Sequence, residues 1–102
     1  MSIIEFDRTV GKQITINRRA EFTFPTKHGE EIKKLNEFPQ QYEVIIGKEI
    51  CLRGLYFNPR PYYYFKIHKN GHNSFFNLVE NLRMFHVKVD LQSKVVHIDE
   101  LS

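Results

Sequence analysis

Gly11-Lys12-Gln13-Ile14-Thr15-Ile16 returns 36 residues later as Gly47-Lys48-Glu49-Ile50-Cys51-Leu52, and echoes once more as Ser93-Lys94-Val95-Val96-His97-Ile98. A second pair of landmarks follows the same order. Lys27-His28-Gly29 stands before one helical pattern and Lys69-Asn70-Gly71 before another. Internal similarity of this kind reads as duplication, and a unit too small to bury its apolar face alone packs against its copy. The reading gives one domain over 1–102, made of two repeats at about 2–41 and 42–101.

Working outward from these landmarks, Ile3–Phe6 and Gln13–Ile16 read as two strands joined by a polar turn. Glu21-Phe22-Thr23-Phe24 alternates with period two, the mark of a half-buried strand, and Pro25 ends it. Ile32, Leu35 and Phe38 predict a helix over Glu30–Phe38, stopped by Pro39. Tyr42–Ile46 and Glu49–Leu52 predict a hairpin through Gly47-Lys48, with Ile46 facing Ile50 and Val44 facing Leu52. Gly54–Pro61 has two prolines and no period, and reads as a loop inserted in the second copy. Tyr62–His68 is the longest expected strand.

Phe75, Leu78, Val79 and Leu82 fall at helical spacing and predict a second amphipathic helix, with Asn73 or Ser74 as its cap. Phe85–Val89 and Lys94–Ile98 predict a last hairpin. Pairing Val87 with Val96 and Phe85 with Ile98 makes one face apolar. The expected fold is therefore α+β: two tandem ββ-β-α units and a C-terminal β-hairpin, with antiparallel sheets about a pseudo-twofold axis.

Composition narrows the function. Apolar residues make up 41% and aromatic residues 14%, enough for a folded core and against a disordered tail. The net charge of +3, with a sequence pI near 9.1, suits a nucleic-acid or acidic-protein partner as well as plain solubility. A single cysteine, Cys51, excludes an intramolecular disulfide. The first residues lack the basic start and apolar stretch of a signal peptide, and no apolar run is long enough to span a membrane, so an intracellular protein is expected.

Catalytic patterns are missing from the sequence. The three aspartates, Asp7, Asp90 and Asp99, form no pair set in an apolar pocket. None of the four serines has the Gly-x-Ser-x-Gly context of a nucleophile. The Gly-Lys pairs lack the upstream glycine, the following Ser or Thr, and the helix of a phosphate loop. His86 and His97 are expected to face each other across the last hairpin, and His68 and His72 stand four apart across a turn. Two histidines fill at most half a zinc site. No enzyme activity, metal, cofactor or small-molecule substrate is expected.

Two binding readings remain. A seam between the copies suits an extended protein or peptide segment, with Tyr56, Arg60, Tyr62 and Tyr64 as contacts and Arg53 as a flanking charge. Alternatively, Tyr62, Tyr64, Lys66 and His68 share one strand face, which offers stacking rings beside cations. Arg53, Arg60 and Lys69 flank it, as on modules that hold single-stranded nucleic acid.

In whole-chain character the protein resembles small orphan proteins of the filamentous archaeal viruses, such as Acidianus filamentous virus. It has 102 residues rich in Ile, Lys, Tyr and Phe, with Gly11-Lys12 and Gly47-Lys48 marking its halves. The resemblance implies a virus-encoded factor that acts on macromolecules in a host cell, and it transfers no catalytic residue.

Overall fold

The computed structural model describes residues 3–25, 42–51, 57–58 and 64–101. In chain order the elements are β1 (Ile3–Thr9), α1 (Lys12–Thr15), β2 (Glu21–Thr23), β3 (Glu43–Ile46), β4 (Glu49–Cys51), β5 (Phe57–Asn58) and β6 (Tyr64–Lys66). A 3-10 turn (Lys69–Gly71), α2 (His72–Val79), β7 (Met84–Asp90) and β8 (Val95–Glu100) complete them. The protein is α+β, and of the described residues many are in strands and few in helices.

Five strands form one sheet in the order β1-β7-β8-β3-β4, and three form another in the order β2-β6-β5. Alternation decides which face of the larger sheet is buried. Ile4, Val89, Val96 and Val44 lie in register across four strands, and Phe6, Val87, Ile98 and Ile46 form the next row. All eight are at most 8% exposed, so this face is core.

The smaller sheet closes over that face through aromatic rings. Phe22 lies 5.0 Å from Phe65 and 5.7 Å from Phe85, and Phe6 lies 5.2 Å from Phe24. From α2, Phe75 meets Phe85 edge-on at 5.7 Å. Tilted and edge-on pairs set the positive ring edge against a negative face, which adds to the burial of apolar area. The run of phenylalanines thus fastens sheet to sheet and helix to sheet.

Several expected elements change. Gln13–Ile16 is not a strand. It belongs to the single helical turn α1, in which the Ile14 and Thr15 amides both donate to the Gly11 carbonyl, at 3.0 and 3.1 Å. Its alternation is accidental, because Ile14 is buried while Ile16 is 67% exposed. The Gly11-Lys12 landmark therefore opens a helical turn, whereas Gly47-Lys48 turns a hairpin. The matched segments take different conformations.

The expected partner of the first strand also changes. β1 runs on to Thr9 and pairs antiparallel with β7. Pairing is not antiparallel throughout, because β3 and β8 run parallel and the larger sheet is mixed.

The β3–β4 hairpin forms one residue away from the expected register, with Ile46 opposite Glu49 and Ile45 opposite Ile50. Gly47 at φ +60° starts a two-residue turn, where only glycine accepts that backbone without strain.

In the last hairpin the shift is two residues. Val87 pairs with Ile98 and Val89 with Val96. A shift of two preserves the apolar face but changes every cross-strand neighbour. The turn sets it: the Asp90 carboxylate accepts from the Gln92 and Ser93 amides at 3.0 and 3.1 Å, and Lys94 takes φ +58°. These bonds hold the Asp90 carboxyl below its usual pKa.

β6 ends at Lys66, short of the expected His68, because His68 is used otherwise. Its Nδ1 accepts from the Asn70 amide at 3.3 Å and caps the 3-10 turn. That turn runs directly into α2, whose cap position is Gly71 rather than Asn73 or Ser74. Phe75 and Val79 are buried as the helical spacing requires, and Phe76 joins them. Leu82 lies beyond the helix end. The expected helix at Glu30–Phe38 lies outside the described residues. Of the expected loop at Gly54–Pro61, Phe57–Asn58 form strand β5 and pair with β6, and the rest lies outside the described residues. Among the described residues no helix is long and apolar enough to cross a membrane.

A candidate basic cleft between the sheets

β1 sorts its charges by alternation. Ile4, Phe6 and Arg8 point to the inner side of the sheet, and Glu5 and Asp7 to the outer side. On the inner side a cleft of about 460 Å³ opens between β1, α1, β2 and β6. Arg8, Thr9, Gly11, Lys12, Arg19, Glu21 and Lys66 line it, above a floor that includes Ile14 and Phe22. A second hollow of about 360 Å³ adjoins it through Arg19, Glu21 and Lys66, and reaches Arg18 and His72. We call the two adjoining hollows the trough. Its described lining carries five cations, Arg8, Lys12, Arg18, Arg19 and Lys66, and a single carboxylate, Glu21.

Local structure places each cation. Arg8 closes the gap between the sheets, because its Nε donates to the Thr23 carbonyl at 2.6 Å and its guanidinium lies 5.5 Å from the Phe6 ring. Partial burial lowers its pKa, though a guanidinium stays charged at any physiological pH.

Arg18 sits in the left-handed region at φ 54°, which reverses the chain after α1. Its guanidinium stacks 4.0 Å above the Phe76 ring. A cation over an aromatic face offsets the cost of that backbone conformation. The Arg19 amide donates to the Gln13 carbonyl at 3.0 Å, and its guanidinium reaches the Glu21 carboxylate at 3.6 Å. Arg19 is 65% exposed, so this contact is solvent-screened and leaves most of the guanidinium available. Gly11 has nothing within 4 Å of where a Cβ would stand, so the cleft is open at that wall.

The residues singled out from the sequence divide. Lys66 is exposed and borders both parts of the trough, opposite Glu21 in the β2–β6 ladder. Tyr64 lies in β6, two positions before Lys66, with Thr23 and Asn58 as backbone neighbours. Arg53, Tyr56, Arg60 and Tyr62 lie outside the described residues. Sequence reasoning missed Arg8, Lys12, Arg18 and Arg19. The adjacent arginines 18 and 19 were a visible signal, but assigning Gln13–Ile16 to a strand hid the fact that α1 turns them toward β6.

The histidines do not pair as expected. With the hairpin shifted, His86 stands opposite Asp99, and His97 opposite Lys88. On the outer side of β1, His86 bonds instead to Asp7 through Nδ1 at 2.8 Å and to Glu5 through Nε2 at 3.1 Å. His72 Nε2 donates to the Ile67 carbonyl at 2.9 Å. Among the described residues no group of three or more His, Cys, Asp or Glu side chains is placed to hold a metal ion. No family model, curated protein or solved structure matches the chain.

Proposed function

We propose that the protein is a non-enzymatic binding module whose trough takes an extended polyanion, specifically single-stranded nucleic acid. One observation carries this reading: five cations and one carboxylate line two adjoining open hollows along β1, α1, β2 and β6. Phosphates spaced along a strand would neutralise such a row and release counterions, the main sequence-independent source of affinity for nucleic acids. The β6 strand that supplies Lys66 also carries Tyr64 at its start, and aromatic residues interleaved with cations along a strand are a sequence pattern of single-strand-binding modules.

A second reading, an acidic peptide lying in the same trough, is favoured by the position of β2. It stands last in the order β2-β6-β5 and forms one wall of the cleft, where an extended segment would add main-chain bonds. A virus-encoded origin and action inside a host cell belong to this proposal and rest on the whole-chain resemblance.

Fluorescence anisotropy with labelled single-stranded DNA, RNA, duplex DNA and a polyglutamate peptide tests it. Saturable binding of the single strands, weakening steeply with salt, is the expected result. Binding of the peptide alone would replace the first reading with the second. Binding of none of them at low salt would refute both.

A further inference from the structure

The outer side of β1 holds a cluster that the trough does not use. The His86 ring lies between two carboxylates of the neighbouring strand. Asp7 Oδ1 is 2.8 Å from Nδ1, and Glu5 Oε1 is 3.1 Å from Nε2. A neutral imidazole has one N–H and can donate to only one of them. Both bonds are made only when both nitrogens carry protons. We propose that His86 is a proton-gated clamp that fastens β1 to β7, tight as the imidazolium and slack as the neutral ring.

The surroundings favour the charged form. On β1 the ring faces Asp7 and Glu5; on β8 its register neighbour is Asp99. The nearest cation on the same strand is Lys88, which stands opposite Glu5 on one side and His97 on the other. Carboxylates therefore outnumber cations around the ring. The Asp7 hydrogen bond is the largest influence raising the His86 pKa, partial burial works against it, and the Glu5 bond adds to the rise.

A raised histidine pKa gives a definite direction. The stabilisation is complete below 6.5, the value of an unperturbed ring, and is lost as the pH rises through the folded value. Above that value, two carboxylates face a ring that can satisfy one of them. The strand so loosened also carries Arg8, one wall of the trough. His86 is partly exposed, with 32% of its side chain accessible, so solvent screens both pairs and the clamp modulates β1 without being required for folding.

The test uses the free protein and needs no ligand. NMR titration of the His86 ring gives its pKa. Amide exchange gives the protection of β1 relative to β8 across the same pH range. The expected result is a ring titrating above 6.5, with the relative protection of β1 falling about 1.5-fold to fivefold through that titration. His86→Gln abolishes the pH dependence, and the double variant Glu5→Gln/Asp7→Asn brings the ring back toward 6.5. A ring that titrates at or below 6.5 in the wild type overturns the clamp. So does a β1 whose relative protection stays flat while the ring titrates.

Discussion

Removing Lys12 and Lys66 together provides a quantitative test of the trough. The two lie on different elements, α1 and β6, and both border the same cleft. The described lining carries five cations against Glu21, a surplus of four charges. For a single strand the logarithm of the binding constant falls by about 0.7 per neutralised phosphate for each decade of salt. Four contacts give a slope of about −2.8, and a loss of about fiftyfold in affinity between 50 and 200 mM salt. In Lys12→Ala/Lys66→Ala two contacts remain, so the slope falls to about −1.4 and the loss over the same range to about sevenfold.

Both lysines are solvent-exposed, so the variant is expected to fold. Lys88→Ala, which removes one charge from the outer side of the larger sheet, serves as the control. Anisotropy titrations of a labelled oligonucleotide at several salt concentrations read the slopes. A double variant that keeps the wild-type slope, or a Lys88 variant that loses as much, would refute the placement of the strand in this trough.

Two further predictions concern the scaffold. Phe85 is fully buried and its ring meets both Phe22 and Phe75, so Phe85→Ala removes the link between both sheets and α2. Urea denaturation should show a loss of about 3–5 kcal/mol; a loss under 1 kcal/mol would contradict the packing. Gly47→Ala keeps an ordinary 3.9 Å contact with Leu78 and meets no clash, so its cost of about 1 kcal/mol comes from the left-handed backbone alone. Gly47→Asn should cost less, since asparagine tolerates that region, and equal costs for the two variants would count against the turn geometry.

What was legible in the sequence was what period two controls. Phe85, Val87 and Val89 alternate without exception, as do Val96 and Ile98, so the strands and their buried face were readable. Register was not, because a turn is fixed by single groups such as the Asp90 carboxylate and the positive φ of Lys94. Composition does not reveal these. The parallel β3–β8 pair was hidden for a different reason. Hairpin signals report only neighbours in sequence, and these strands meet across about fifty intervening residues.

The candidate site was the least legible part. Lys66 was found because it sits in a long alternating run. Arg8 falls on the apolar side of a strand, where a cation is not expected, and Lys12, Arg18 and Arg19 depend on a single helical turn whose four residues carry too few apolar positions to show a helical period. The likeness of Gly11-Lys12 to Gly47-Lys48 predicts one conformation for both segments, but Gly47 takes a positive φ and Gly11 stays at φ −90°.

The most direct test of the trough is a map of backbone amide and arginine side-chain resonances of labelled protein during titration with a short single-stranded oligonucleotide. The account predicts that the shifts concentrate at Arg8, Lys12, Arg18, Arg19 and Lys66, while Glu5, Asp7, His86 and Lys88 on the outer side stay in place. Shifts centred on the outer side, or none at saturating oligonucleotide, would contradict it.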